Sequence, residues 1–234
     1  MVIDFHSHIL PGIDDGSASL EESIALLRME AEQGVRHVVA TPHFYARYDS
    51  PDRFLEKRDR AEAALRQEME KHPGLPEVTV GAEVYFFRGM SQSEFLPRLT
   101  IGSENCVVVE MPHGPWKDDV CRELTAIWED RRILPIIAHI DRYIRPFHTH
   151  GIPKLLRQLP VFVQANADFF LERSTASMAL KMLKTDQIQL LGSDCHDLED
   201  RKPNLGAAVQ QIRRKLGDRV LDTIAEYERK VLGR

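Results

Sequence analysis

The stretch that decides the fold is the first one, residues 1–16, MVIDFHSHILPGIDDG: an apolar run meets His6, Ser7 and His8, and two aspartates follow at 14 and 15. In an extended strand residues i and i+2 share a face, so His6 and His8 point the same way. Alone, the pair reads equally well as metal donors or as ordinary polar histidines at a strand end. What the rest of the chain sets beside it decides.

Outward from this start, short apolar β-branched runs alternate with longer amphipathic ones, the pattern of βα units around a parallel sheet or barrel. Seven strands are expected, near VIDF (2–5), HVVAT (37–41), VTVGAE (78–83), CVVVE (106–110), LPIIAH (134–139), VFVQAN (161–166) and IQLLGSD (188–194). Ser19-Leu-Glu-Glu22 is a capping box that opens a helix through Gln33, which Gly34 stops. Ser50 and Pro51 open a second, highly charged helix to about Lys71, whose charges read as a solvated face. Two amphipathic helices, near 204–216 and 218–231, close the chain. No repeat, low-complexity tract or linker interrupts it, so residues 1–234 are expected to form one α/β domain.

Composition narrows the partners. The 234 residues are 43% hydrophobic and 29% charged, ordinary for a globular enzyme, and the net charge of -5 gives no general attraction to nucleic acid. No run approaches the ~20 apolar residues that span a bilayer, and no basic segment followed by an apolar stretch marks a secretion signal. Membrane insertion is therefore not expected and a cytoplasmic location is. Cys106, Cys121 and Cys195 are odd in number, far apart and without a Cys-x-x-Cys pair, as expected for reduced thiols.

Six of the seven expected strands end in a metal-competent side chain: His6 with His8, then His43, Glu83, Glu110, His139, and Asp194 with His196. In α/β barrels the carboxyl ends of the strands meet at one mouth, where active sites sit. One such residue is unremarked; six coinciding strand ends point to a polynuclear metal site. The donors are imidazole nitrogen and carboxylate oxygen with no thiolate, which suits zinc, manganese or iron. Several cations would offset the carboxylates, and water bridging them becomes hydroxide near neutral pH. Hydrolysis is the chemistry this favours.

The run HSHILPGIDDGS, with TPH at 41–43, GAE at 81–83, VVE at 108–110, AHIDRY at 138–143 and SDCHDLEDR at 193–201, resembles the polymerase and histidinol phosphatase (PHP) superfamily. Within it the chain is most similar to the bacterial manganese-dependent protein-tyrosine phosphatases of capsule and exopolysaccharide operons. The resemblance implies a distorted (β/α)7 TIM-like barrel and a trinuclear site. Its ligands would be His6, His8, Glu83 and Asp194 for one ion and Glu83, Glu110 and His139 for a second. The third would take Asp14, chosen over Asp15 on spacing, with His43 and His196. The carboxylates tilt the three divalent ions toward manganese, with iron or zinc as the other candidates. The implied substrate is phosphotyrosine in a protein, a bacterial tyrosine autokinase, cleaved by a metal-bridging hydroxide.

Phosphoryl transfer also needs cations that clamp the phosphate oxygens, a task suited to the planar fork of arginine. Arg142 lies just past His139 and Arg201 five residues past His196, and the resemblance includes both positions. Phe44 and Tyr45 are candidates for the pocket entrance, and Tyr143 for packing. His113, Trp116, His148 and His150 read as exposed polar residues of neighbouring loops. Phenolate, with a pKa of about 10, leaves without a strong general acid, so none is assigned. Cys195-HDLED-Arg201 also fits the spacing of thiol-based tyrosine phosphatases. Asp197, Glu199 and Asp200 between them would repel both thiolate and phosphate. Histidinol-phosphate phosphatase is the alternative activity; an amidohydrolase lacks a strand-end lysine here, and a metal-stabilised regulatory subunit is the non-catalytic alternative.

Overall fold

The computed structural model describes residues 2–101, 105–144 and 151–233; His148 and His150 lie outside the described residues. β1 (Val2–Ser7) leads through α1 (Leu20–Glu32) to β2 (Val35–Ala40) and β3 (His43–Phe44), then through α2 (Pro51–Met69) to β4 (Glu77–Val80) and β5 (Glu83–Tyr85). β6 (Cys106–Glu110), α3 (Asp118–Arg131), β7 (Leu134–Ile137), α4 (Asp141–Ile144), α5 (Ile152–Leu156) and β8 (Phe162–Asn166) follow. α6 (Ala167–Leu171), α7 (Ala176–Lys184), β9 (Leu190–Gly192), α8 (Leu205–Leu216) and α9 (Asp218–Val231) complete the order.

All the strand pairs are parallel, in the orders β1-β2-β4 and β3-β5-β6-β7-β8-β9. Among the described residues nine strands occupy seven barrel positions: β3 extends the position of β2 beyond the expected end at 41, and the strand expected at 78–83 is broken in two. Pro42 has no N–H to give, and it separates β2 from β3; Gly81 and Ala82 separate β4 from β5. The breaks stay in register, with Gly81 N donating to Ala40 O at 2.9 Å and Glu83 N to Pro42 O at 2.9 Å. β9 returns to β1 through a Ser7–Cys195 bridge, reinforced by Asp194 N to His6 O at 2.8 Å and His8 N to Cys195 O at 2.9 Å. The chain is thus the distorted seven-position α/β barrel expected, in one domain.

The helix signals behave with two refinements. The Ser19 hydroxyl accepts from Glu22 N at 3.2 Å, but the Glu22 carboxylate reaches Ala18 N rather than the cap itself, at 2.7 Å. Ser50 makes no capping bond, so the preset φ of Pro51 starts α2.

Strand alternation divides the core in two. Val107 and Val109 of β6 face outward and pack with Leu124 and Ile127 of α3 in the larger cluster. Ile3, Phe5, Val39, Val108, Ile136, Ala138 and Leu190 form a smaller cluster drawn from strands all round the barrel, which makes it the packed interior. Directly above this interior lies the mouth.

Candidate metal centre at the barrel mouth

His6 sits where β1 leaves the sheet register between Asp4 and Ser7, and His8 follows just past the strand's end. A bulge of this kind re-aims side chains, and here both imidazoles turn into the mouth. His6 Nε2 lies 3.2 Å from His8 Nε2, 3.1 Å from Glu83 Oε2 and 3.5 Å from Asp194 Oδ1. His8 Nε2 lies 3.4 Å from the same Glu83 oxygen and 3.4 Å from the same Asp194 oxygen. Donors bound about 2.1 Å from a common ion stand about 3.0 to 3.5 Å apart. His6, His8 and Asp194 thus offer atoms that all lie within 4.8 Å of one another, and Glu83 joins His6 and His139 in an adjoining set of the same kind.

The outer ring nitrogens fix the tautomers. His6 Nδ1 faces the Gln164 amide oxygen at 3.2 Å and His8 Nδ1 faces Asp14 Oδ2 at 2.8 Å. Both partners accept only, so each Nδ1 carries hydrogen and each Nε2 can present a lone pair inward.

Glu83 divides its oxygens, Oε1 to His139 Nε2 at 2.7 Å and Oε2 to His6 and, at 3.0 Å, to His43 Nδ1. Glu110 stands beside this pair, and its Oε2 is buried without a hydrogen-bond partner. His196 donates from Nδ1 to Asp194 O at 2.9 Å, leaving Nε2 buried without a hydrogen-bond partner. Such orphaned acceptors cost stability unless something occupies the space they face. Donor types, spacing and orphaned lone pairs all fit divalent cations.

The electrostatics agree. Burial alone would raise the pKa of Glu83, but His6 and His139 outweigh it and hold the group well below the usual carboxylate range. Asp194 is likewise drawn well below its usual range, against burial, by His6 and His8. Burial would lower the His8 pKa, yet hydrogen bonds with Asp14, Asp194 and Glu83 raise it well above its usual value. Positive charge placed among these carboxylates is thus favoured, the condition under which cations bind. His196 differs: burial and the neighbouring His8 lower it to about 4, so it stays neutral with its lone pair available.

The two adjacent aspartates part company, and not as the spacing suggested. Asp14 accepts from His8 Nδ1, from His43 N at 2.9 Å and from Gly16 N at 3.0 Å, and those contacts overcome burial to hold it at about 2. Both of its oxygens are thereby committed to orienting the loop. Asp15 Oδ1 instead lies 3.5 Å from His43 Nε2 and 3.6 Å from His196 Nε2. The tight turn behind this depends on Gly16, where a Cβ would collide with the His8 carbonyl and Cβ.

Both arginines reach the mouth. Arg142 Nη2 and Arg201 Nη2 donate to the same oxygen, Asp194 Oδ2, at 2.5 and 3.0 Å. A cavity of about 380 Å³ opens beside them, lined also by Asn166, Asp168, Lys202 and Asn204. Tyr45 lies beside His43, the rings tilted by 32° with centroids 5.3 Å apart. Phe44 is fully buried against Phe54 and Phe95, so it belongs to the core rather than the entrance. Trp116, expected exposed, is buried edge-on to Tyr143, whose hydroxyl accepts from Met111 N at 2.9 Å. His113 is exposed as expected. Gln164 and Asn166 are the residues that the sequence reading passed over; their signal was their place at the carboxyl end of the sixth expected strand, observed as β8.

Fold and site together define the class: a TIM-like α/β barrel whose mouth carries several clusters of imidazoles and carboxylates that could hold metal ions. The family model for capsular polysaccharide synthesis proteins CpsB/CapC matches residues 2–232, and the chain belongs to that family. The tyrosine-protein phosphatase CpsB of Streptococcus agalactiae is 27% identical over 227 residues, covering 92% of this chain and 91% of its own. A solved structure from work on YwqE from Bacillus subtilis and CpsB from Streptococcus pneumoniae, unique metal-dependent tyrosine phosphatases, matches 100% of this chain and 95% of its own. Its TM-score is 0.83 at 21% identity. The histidinol phosphate phosphatase of Lactococcus lactis, solved with zinc, L-histidinol and phosphate, shares the fold more distantly: TM-score 0.56, 13% identity, 94% and 93% coverage. The resemblance read from the motifs is confirmed.

Proposed function

We propose that this chain is a metal-dependent protein-tyrosine phosphatase whose substrate is phosphotyrosine in a tyrosine autokinase of capsule or exopolysaccharide synthesis. The observation that carries the reading is Asp194. One of its oxygens belongs to the donor cluster and the other holds both arginines. A phosphate bound beside it would touch ions on one side and guanidinium forks on the other. Family membership and the names of the relatives support the substrate class.

Three divalent ions fit the donor groups. We assign His6, His8, Glu83 and Asp194 to one, Glu83, Glu110 and His139 to the second, and His43, His196 and Asp15 to the third, with Asp14 orienting His8. The number of carboxylates favours manganese or iron over zinc. When bound, the ions would supply hydroxide at neutral pH as the attacking group and offset charge on the phosphoryl oxygens. Arg142 and Arg201 leave Asp194 for the non-bridging phosphate oxygens as charge redistributes. No side chain is assigned as general acid, since a phenolate leaves readily. The free thiols of Cys121 and Cys195 suit a reducing cytoplasm.

The test compares a phosphotyrosine peptide with histidinol phosphate as substrates, before and after chelation, with metal content measured on the same samples. The peptide should be hydrolysed, chelation should abolish turnover, and manganese should restore it. Full turnover by metal-free protein, or turnover of histidinol phosphate alone, overturns the reading.

A further inference from the structure

Of the seven barrel positions, β8 brings no carboxylate or imidazole to the mouth, yet two of its side chains reach the donors. Gln164 Oε1 faces His6 Nδ1 at 3.2 Å and accepts from His139 N at 2.6 Å. Gln164 Nε2 donates to Asn166 Oδ1 at 3.0 Å, and Asn166 Nδ2 donates to Asp194 Oδ2 at 3.0 Å. Asn166 is held in its turn, its N–H donating to Asp141 Oδ1 at 3.1 Å. The neighbouring strand keeps this lane open with a glycine: a Cβ on Gly192 would stand 2.7 Å from Gln164 Nε2 and 2.7 Å from His6 Cβ.

We propose that Gln164 and Asn166 are positioning residues that set the metal affinity of the centre, one relay of amides aligning His6, His139 and Asp194 together. The proposal rests on the metal centre assigned above. An amide suits the task for two reasons. Its oxygen only accepts, which keeps hydrogen on His6 Nδ1 and the lone pair on Nε2. It also adds no charge to a mouth that already holds Glu83, Glu110, Asp194 and Asp15. The same oxygen anchors His139 N where the backbone takes a left-handed turn, φ +31°. Asn166 has a second consequence. When the two arginines move to a phosphate, its Nδ2 still holds Asp194 Oδ2, so Oδ1 stays turned toward His6 and His8.

The experiment titrates metal-stripped protein with Mn²⁺ against a competing chelator and follows Co²⁺ absorption as a report on coordination, with folding checked by circular dichroism. Gln164→Met keeps the length and removes the accepting oxygen; it should bind about 10- to 100-fold more weakly and shift the Co²⁺ spectrum. Gln164→Glu restores an acceptor for His6 and His139 but loses the donor to Asn166, so its affinity should fall between wild type and Gln164→Met. Wild-type affinity in Gln164→Met, or no recovery in Gln164→Glu, overturns the proposal and leaves Gln164 as packing. If Gln164→Met does not fold, Asn166→Ala decides: weaker Mn²⁺ binding supports the relay and unchanged binding overturns it. Wild-type protein that takes up neither ion defeats the metal centre itself, a result distinct from every outcome above.

Discussion

Val108 and Glu110 sit one pleat apart on the same face of β6, and they belong to different chemistries. Val108 is packed among Phe5, Val39, Ile136 and Leu190 in the barrel interior. Glu110 leaves one oxygen buried with no partner. The lower interior is satisfied by contact alone, whereas the mouth leaves buried polar atoms, Glu110 Oε2 and His196 Nε2 among them, without a hydrogen-bond partner. The same strands therefore store stability at one end and reactivity at the other, as barrels whose sites lie at the carboxyl ends of strands allow.

The sharpest way to break this contrast is to remove the hub of the mouth. Glu83 touches His6, His139 and His43. Glu83→Ala should lower kcat/KM by about a thousandfold or more, the several kcal/mol expected of lost ions and lost charge stabilisation. Metal content should fall while circular dichroism stays native. A variant that keeps its metal and its rate would remove Glu83 from the centre.

The opposite result is expected one layer down. Leu190 is fully buried in the interior. Leu190→Ala should cost about 2 to 5 kcal/mol of unfolding free energy, measured in urea, while the folded fraction turns over at close to the wild-type rate. A variant of normal stability but poor activity would show that the interior and the mouth are not separable.

How far the contrast was legible in advance depends on local geometry. Period-two alternation places Val108 below Glu110, and the strand ends name His6, His8, Glu83 and His139 as companions. Alternation fails where the backbone departs from it. Ile136 and Ala138 point inward, so a regular strand would turn His139 out toward the helices; φ +31° turns it in. Asp194 is likewise left-handed, at φ +56°. Such conformations are costly for non-glycine residues and cluster at functional sites. The Asp14/Asp15 choice was illegible for a related reason. Neighbours in a turn point in opposite directions, and which one faces His43 depends on the close approach of Gly16 to His8. Phe44 and Trp116 were misplaced because an aromatic beside a site motif looks the same in sequence whether it lines a pocket or fills the layer behind it.

At the rim the contrast becomes a question of charge against shape. Arg201 is over a third exposed and holds Asp194 through one nitrogen. Arg201→Lys keeps the charge and loses the fork. If the fork grips the transferring phosphoryl group, kcat/KM on a phosphotyrosine peptide should fall about 10- to 1000-fold, or about 1 to 4 kcal/mol, with metal stoichiometry unchanged. Wild-type kinetics in both Arg201→Lys and Arg201→Ala would reduce Arg201 to a surface residue.

The smallest effect is expected at Cys195, which separates the two chemistries open to a tyrosine phosphatase. It stands between two mouth residues in sequence, yet its sulfur groups with carboxylate oxygens of Asp4 and Glu30 within 4.8 Å, in a buried cluster apart from the histidines. Burial, with Glu30 and Asp4 adding to it, pushes the thiol pKa well above its usual value. A nucleophilic cysteine needs the reverse, a thiolate favoured by positive surroundings. Asp4 Oδ2 and both oxygens of Glu30 are buried with no hydrogen-bond partner, and a serine hydroxyl is a better donor than a thiol. Cys195→Ser should therefore hold kcat/KM within about threefold and change stability by no more than about 1 kcal/mol, lost packing being offset by a better hydrogen bond. Paired rate and unfolding measurements on this variant decide the matter. A loss of two orders of magnitude in rate, with metal content and stability intact, would move the reaction from the mouth to the thiol.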